Sequence, residues 1–129
     1  EGTVTDGQSL LPFKTSMLRV LEPPPPGVLV QPVMLFYGEI AEWIGWVGDE
    51  TGLNNFKRVM ARKGTFPLEL HFLEPFSPED HHGRKAIAAT ARNEIESALV
   101  NALGKPLREF EFSVEPVRYQ APEKIFPIE

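Results

Sequence analysis

The chain has 129 residues, of which 42% are hydrophobic, and this is enough for one ordinary domain with its own core. Its 18 acidic and 13 basic residues give a net charge of -5, which argues against a nucleic-acid partner, because such a partner needs a dense cationic face. The absence of cysteine excludes a disulfide scaffold and a thiolate metal site. We therefore expect a single domain over residues 1–129 that binds no nucleic acid.

The first part of the chain predicts a turn, a short helix and a rigid connection. The opening "EGTVTDG" is polar and glycine-rich, and because no methionine precedes it we expect a fragment of a longer protein. Apolar residues near helical spacing predict a helix over residues 10–21. The run "EPPPPG" ends that helix, because proline lacks a backbone donor and favours an extended geometry. We interpret this run as a spacer, and a proline-motif ligand for a partner is the alternative.

The middle of the chain predicts a strand and then a helix. The run "VLVQPVMLFY", residues 28–37, is apolar at both alternating sets of positions, which is typical of a strand covered on both faces in a parallel sheet. Pro32 removes one ladder donor, so we expect an edge position or a bulge there. A helix is predicted over residues 53–62, with basic residues in the C-terminal half that the helix dipole favours. The apolar reach of residues 28–47 contains a glutamine and two glutamates, which excludes a membrane-spanning helix.

Two more strands and the best-defined helix are predicted after residue 67. The run "LELHFL", residues 68–73, alternates as a strand does. Ser77 and Pro78 are typical of a helix start, and an apolar stripe at steps of three and four residues continues until Gly104. The stripe comprises Ile87, Ala91, Ile95, Ala98, Leu99 and Ala102. The run "REFEFSVEPVRY" predicts a half-exposed strand, and the tail, residues 121–129, has the composition of a poorly ordered end.

The order of these elements is helix, strand, helix, strand, helix, strand. It predicts an α/β layered sandwich with a mixed, largely parallel sheet. In such a fold the opening turn would normally follow a strand, so we expect one strand to be missing from this chain. A sheet without its first strands exposes an apolar edge and face, and we therefore expect the fragment to self-associate.

The sequence contains none of the common nucleophile or phosphate-binding motifs, neither G-x-S-x-G, nor a phosphate loop, nor G-x-G-x-x-G. Asp80, His81 and His82 are consecutive near a helix start and point in different directions, so we expect a solvated helix start and no metal site. His71 shares a strand face with Glu69, and we expect it to be a surface or sheet histidine.

Two tryptophans lie in a short apolar stretch, residues 40–47, which Glu42 interrupts. Core or subdomain packing is the preferred interpretation, because the nearby acidic residues would be repelled by anionic lipid. The alternative is an interfacial patch, since indole rings are stable between water and lipid.

Several short motifs occur in an order that resembles one enzyme family. The block "EGT" at residues 1–3 is followed by "DG" at residues 6–7 and by "LPFK" at residues 11–14. Further along come "VQPV", with its embedded proline, then "WVGD" and "HFLEPFSPEDHHGRKAIAATAR". In this order the motifs resemble the C-terminal half of bacterial lysophospholipid acyltransferases, including members that acylate lyso-ornithine lipid. In that family the block is part of a longer F-P-E-G-T motif that follows a strand.

The resemblance implies transfer of a fatty acyl group from acyl carrier protein or coenzyme A to a lysolipid hydroxyl, an EC 2.3.1 activity of phospholipid biosynthesis with no cofactor. The family's catalytic motif, His-x-x-x-x-Asp, lies upstream of the E-G-T block, and no histidine here has an aspartate five positions later. We therefore expect no catalytic residue in this chain and no activity from it alone. The resemblance also implies that the parent protein makes peripheral contact with the cytoplasmic side of the bacterial inner membrane, and we expect the fragment to be soluble.

The resemblance assigns part of the acceptor site to Glu1, Gly2 and Thr3. The glycine allows a close backbone approach, the threonine supplies a hydroxyl and the glutamate accepts hydrogen bonds. Many family members with a phosphate acceptor have arginine directly after this block, where this chain has Val4. Val4 therefore favours a lysolipid with a head group other than glycerol phosphate, although Lys14 can supply a point charge. Lysophosphatidate and lyso-ornithine lipid both stay open as acceptors.

The competing hypothesis is a non-enzymatic α/β interaction domain. Such a domain would dock an acidic carrier protein through a basic cluster. The cluster comprises Lys57, Arg58, Arg62 and Lys63.

Overall fold

The computed structural model describes residues 5–109. In this part of the chain the helices and strands alternate, as the sequence predicts. The strands are β1 (Val33–Phe36) and β2 (Glu69–Phe72), and the α-helices are α1 (Ala41–Ile44), α2 (Gly52–Met60) and α3 (Arg84–Leu103). Short 3-10 helices occupy Thr15–Leu21, Gly38–Ile40 and Pro78–Asp80. The strand predicted from "REFEFSVEPVRY" and the tail, residues 121–129, lie outside the described residues.

The two strands form an antiparallel pair. Val33 pairs with Phe72 and Leu35 pairs with Leu70, so these four side chains share one face of the sheet. That face is exposed, whereas Met34 on the other face is buried. Coverage of both faces and parallel neighbours for β1 are therefore not found within residues 5–109. The largely parallel sheet of the whole domain stays a prediction.

Pro32 lies directly before β1, and its carbonyl takes part in the hydrogen bonding between the two paired segments. The backbone amide of Leu73 donates to the Pro32 carbonyl at 3.0 Å. Val30 and Phe76 then exchange two backbone hydrogen bonds of 2.9 Å, which continue the pairing beyond the proline. The missing proline donor thus interrupts the strand locally, which agrees with the expected bulge or edge position.

Helix α3 covers the inner face of the sheet and supplies half of the buried hydrophobic residues in the described part of the chain. Its buried side chains are Ile87, Ala88, Ala91 and Leu99, which belong largely to the predicted stripe. The helix ends at Gly104, which has the left-handed conformation that favours glycine after a helix, as predicted.

The helix begins later than predicted, at Arg84 and not at Pro78. Ser77 caps the short helix Pro78–Asp80 by accepting a hydrogen bond from the amide of Glu79. Gly83, with a φ of 80°, then separates the short helix from α3, which begins at Arg84. The carboxylate of Glu22 accepts from the Arg84 amide at 2.7 Å, so a distant residue replaces the local cap.

The remaining helices also differ in detail from the prediction. The helix predicted over residues 10–21 is a 3-10 helix limited to Thr15–Leu21, in which only Leu21 is buried. The helix predicted over residues 53–62 is confirmed as α2. Among residues 5–109 no helix is both long and apolar enough to span a membrane.

The two tryptophans lie beside α2 and are not buried. Trp43 is 38% exposed and Trp46 is 46% exposed, so of the expected core or subdomain packing only the local packing is found. Trp46 packs against Gly52, where a side chain would come within 3.1 Å of the indole ring. The tryptophans therefore join α1 to α2 at the surface.

Candidate functional site

The predicted acceptor residues Glu1, Gly2 and Thr3, together with Val4, lie outside the residues that the structure describes. The segment that follows them directly is described, and we call residues 5–9 the opening segment. Lys14 is exposed at the N-terminal end of the first 3-10 helix. The described part of the candidate site therefore consists of the opening segment and its partners.

The opening segment is a turn that Asp6 organises. The Asp6 carboxylate accepts hydrogen bonds of 2.9 Å from the amide of Gln8 and from the hydroxyl of Ser9. The Thr5 hydroxyl donates to the carbonyl of Ser9 at 3.2 Å. An aspartate that bonds the amide two residues on mimics a backbone turn, which explains why Asp-Gly is typical of this conformation.

Gly7 allows the turn to approach α1 closely. Its φ is 74°, a conformation that side-chain-bearing residues rarely adopt. A β-carbon on Gly7 would lie 2.5 Å from the β-carbon of Ala41, the first residue of α1. Glycine is therefore required at this position both for the conformation and for the contact.

Gln8 is a buried polar residue that links the turn to two distant parts of the chain. Its side-chain oxygen accepts from the ammonium of Lys105 at 2.7 Å, and its side-chain amide donates to Glu42. Its backbone carbonyl accepts from the amide of Arg108 at 2.9 Å. Because buried amides need partners, these bonds fix the orientation of Gln8.

Arg108 joins the two carboxylates that border the turn. Its guanidinium lies 3.3 Å from the Asp6 carboxylate and 2.9 Å from the Glu42 carboxylate. Both pairs are partly exposed, so each contributes little stability alone. Their effect is to hold the opening segment against α1 and against the chain after α3.

A small apolar cavity opens beside this turn. It has a volume of about 220 Å³ and lies between the opening segment, β1 and α3. Its lining includes Thr5, Ser9, Phe13, Met34 and Leu99. The volume is below the roughly 300–1,000 Å³ of a complete small-molecule site, so the cavity accommodates only a short apolar group.

The charged groups around the opening segment bond one another or Gln8. Arg108 contacts Asp6 and Glu42, and Lys105 contacts Gln8. The cavity beside them has room for a short apolar group, and binding of a substrate there stays a prediction.

Two of the histidines, His71 and His81, have structural partners. The imidazole of His71 lies 3.1 Å from the Glu69 carboxylate and is partly exposed in β2, which confirms the predicted surface or sheet histidine. His81 stacks on Phe76 at 4.8 Å and contacts the Thr90 hydroxyl at 2.9 Å. The expected solvated position is therefore wrong for His81, which packs against α3. Within residues 5–109 no three His, Cys, Asp or Glu side chains are grouped as metal ligands would be.

Sequence reasoning missed Gln8 and Arg108 as organisers of the site. The Asp-Gly pair indicated a turn, but neither residue type nor spacing revealed its partners about a hundred positions away. A buried glutamine next to an Asp-Gly turn gives no periodic signal, because its partners belong to other elements.

Comparison with known proteins identifies a relative. The chain is 31% identical over 117 residues to the lyso-ornithine lipid O-acyltransferase of Brucella abortus (strain 2308), and the match covers 80% of this chain. The chain spans 43% of that relative's length. No protein-family model and no solved structure gives a significant match.

The motif order of the sequence and this match lead to the same group of enzymes, and the chain resembles lysophospholipid acyltransferases over part of their length.

Proposed function

We propose that the protein carrying this chain moves a fatty acyl group from acyl carrier protein or coenzyme A to the hydroxyl of a lysolipid. The chain would be the C-terminal part of its acyltransferase domain. The relative's name supports an acyltransferase that acts on a lysolipid, although the chain spans only 43% of that protein. The observation that carries the proposal is the Asp6 turn, which directly follows the E-G-T block and borders an apolar cavity.

In this proposal the chain contributes to acceptor binding. Glu1 and Thr3 offer hydrogen-bonding groups, and Gly2 lets the backbone approach the lipid. The exposed Lys14 supplies a cation near the same segment of sequence. The opening segment, which follows this block in the sequence, is itself held by its contacts with Glu42 and Arg108.

The chemical step would use a histidine and an aspartate outside this chain. The histidine takes the proton of the acceptor hydroxyl, and the oxygen then forms a bond to the thioester carbonyl. The carbon–sulfur bond breaks, and the departing sulfur takes the proton from the imidazolium and leaves as the thiol of the donor. The aspartate orients the imidazole and stabilises its charged form.

The acceptor that we favour is lyso-ornithine lipid. Val4 stands where an arginine would bind a phosphate, and valine offers no hydrogen bond to a phosphate group. The relative's name gives the same acceptor. Lysophosphatidate is the second candidate.

We also propose that a second layer covers the exposed face of the sheet in the whole domain. Val33, Leu35, Leu70 and Phe72 form an apolar, uncharged face, which is the kind of surface that helices cover in a layered α/β fold. A largely parallel sheet with its remaining strands elsewhere in the protein fits this arrangement. We place the whole protein at the cytoplasmic side of the bacterial inner membrane, where its lipid substrates lie.

The test is an acyl-transfer assay with the full-length protein, labelled acyl carrier protein or acyl coenzyme A, and either lyso-ornithine lipid or lysophosphatidate. We expect transfer to lyso-ornithine lipid. Thr3→Ala should lower kcat/KM about tenfold, the loss expected for one hydrogen bond to the substrate. Thr65→Ala, at an exposed threonine in a loop, is the matched control and should have no effect.

The Val4→Arg variant tests the acceptor. It should raise activity with lysophosphatidate relative to lyso-ornithine lipid, because the guanidinium can bind the phosphate. Transfer to lysophosphatidate alone by the unchanged protein would contradict the assigned acceptor. Failure to acylate any lysolipid with either donor would overturn the proposed activity.

The alternative interaction domain is less well supported by the contacts of its basic cluster. Arg58 is bound to Glu50 at 2.6 Å, and Arg62 lies over Trp43 at 5.8 Å. Lys57 and Lys63 are exposed. Two of the four basic residues of the cluster therefore already have partners within the chain.

A further inference from the structure

Helix α2 contacts the rest of the protein through its polar side. The side-chain amide of Asn55 donates to the carbonyls of Ile44 and Gly45 at 3.3 and 3.2 Å. Arg58 donates to the Gly45 carbonyl at 3.0 Å. Positions 55 and 58 are three residues apart, so they lie on one side of the helix. This side faces the protein.

A bidentate ion pair strengthens the same side. Arg58 donates to both oxygens of the Glu50 carboxylate, at 3.0 and 2.6 Å. The hydrogen bonds from Arg58 hold the pKa of Glu50 below its ordinary value. Arg62, four residues after Arg58, lies over the rings of Trp43 and Phe66.

The opposite side of α2 is an apolar stripe that faces solvent. Leu53, Phe56 and Met60 are 62%, 60% and 67% exposed. Their spacing of three and four residues puts them on one helix face. In an ordinary surface helix the apolar side faces the core, so the orientation of α2 is inverted. An exposed apolar stripe of this kind is typical of a surface that binds a protein or a membrane.

The surroundings of the stripe are cationic. Residues 51–68 contain four basic and no acidic residues, in a chain whose net charge is -5. Lys57 follows Leu53 by one helical turn and is exposed beside the stripe. Lys63 is exposed just beyond the helix.

We propose that α2 binds the surface of an anionic lipid bilayer, with Leu53, Phe56 and Met60 inserted and Lys57 and Lys63 near the head groups. A helix with an apolar face and lysines at its border is typical of helices that lie in the membrane interface. The two lysines favour an anionic bilayer over an uncharged protein groove, because such a groove would offer them no negative charge to contact. This inference is independent of the proposed acyl transfer.

A fluorescent label at position 56 tests the contact. The chain has no cysteine, so Phe56→Cys in the full-length protein, with any other cysteine replaced, gives one labelling site. An environment-sensitive dye there should shift to the blue and gain at least twofold in intensity with vesicles containing phosphatidylglycerol. Vesicles of phosphatidylcholine alone should give a much smaller change. Met17→Cys, at an apolar position that is 81% exposed, is the matched control and should not respond.

A second variant tests the role of charge without changing the apolar stripe. Lys57→Glu combined with Lys63→Glu should weaken the response of the dye at position 56 to phosphatidylglycerol vesicles about tenfold or more in lipid concentration. Circular dichroism checks that the variant is folded.

Three results would overturn the proposal. A dye at position 56 that is already shifted without vesicles would show that the protein itself covers the stripe. A shift on raising protein concentration would indicate a second copy of the chain, and a shift with acyl carrier protein alone would indicate that protein as the occupant. None of these readouts depends on enzymatic activity, so loss of acyl transfer leaves the test valid.

Discussion

At the scale of single residues, Gly7 shows how one position combines two constraints. A residue with a side chain there would have an unfavourable φ of 74°. Its β-carbon would also lie 2.5 Å from the β-carbon of Ala41. Gly48 has a similar φ of 64° but has no atom within 4 Å of a β-carbon position. Comparing the same substitution at Gly7 and at Gly48 therefore separates the effect of conformational strain from that of steric overlap.

We expect Gly7→Ala to destabilise the protein by about 2–3 kcal/mol more than Gly48→Ala does, because overlap with α1 adds to the strain. Urea unfolding of the full-length variants measures the difference. Equal loss of stability in the two variants would mean that the turn moves away from α1 without cost.

The pair of Arg58 and Glu50 gives a pH-dependent prediction. Because hydrogen bonds from Arg58 lower the pKa of Glu50, the pair stabilises the fold when the carboxylate is charged. That stability is present above the pKa that Glu50 has in the unfolded chain, and it is lost as pH falls through the lower pKa in the folded protein.

The measurement is an NMR titration of the Glu50 carboxyl. We expect Arg58→Gln to raise the pKa of Glu50 toward its ordinary value and Lys57→Gln to leave it unchanged. A pKa that stays low in Arg58→Gln would assign the effect to another group, such as Asn55.

Prediction from sequence succeeded at this scale only where a local signal exists. The Asp-Gly pair indicated the turn that Asp6 and Gly7 form. The role of Arg108 could not be predicted, because its contact with Asp6 spans 102 residues and follows from the packing of three elements. The acceptor residues Glu1, Gly2 and Thr3 and the exposed Lys14 remain predictions from resemblance.

At the scale of elements, Thr51 has a definite role in α2. Its hydroxyl accepts a hydrogen bond of 3.3 Å from the amide of Asn54 and so caps the helix. The apolar stripe of α2 contributes nothing to its packing on the protein. The cap and the polar contacts must therefore maintain the helix.

We expect Thr51→Ala to destabilise α2 by about 1 kcal/mol, whereas Thr51→Ser keeps the hydroxyl and should have almost no effect. Hydrogen exchange of the α2 amides measures the local change. If exchange in Thr51→Ala were as slow as in the unchanged protein, the cap would have no energetic role.

The sequence predicted the end of an element correctly where the apolar periodicity and a glycine indicated the same boundary. The stripe and Gly104 defined the C-terminal end of α3 correctly. Ser77 and Pro78 were a valid start signal for a different, shorter helix, and Gly83 separates the two. The inverted orientation of α2 could not be predicted, because a helical pattern does not reveal which face contacts the protein.

At the scale of the whole molecule, the sheet leaves one apolar face open in the described structure. Val33, Leu35, Leu70 and Phe72 lie together on that face without a charged residue among them. Helix α3 covers only the opposite face, which includes Met34. The 129-residue chain alone therefore offers a surface for association.

We expect this chain to self-associate at high concentration, and Leu35→Gln with Phe72→Gln to reduce the association. Sedimentation velocity measures both states. Met17→Gln with Val20→Gln, at positions that are 81% and 71% exposed elsewhere, is the matched control and should not reduce it. A single monomeric species of the unchanged chain at high concentration would contradict the prediction.

The contacts of Gln8 and Asp6 with Lys105 and Arg108 also have a kinetic consequence. They span 97 and 102 residues, so they close a very long loop, which costs more chain entropy than a local contact does. We expect such contacts to form late in folding. The turn at residues 5–9 therefore gains these partners only after α3 and the chain that follows it have reached their positions.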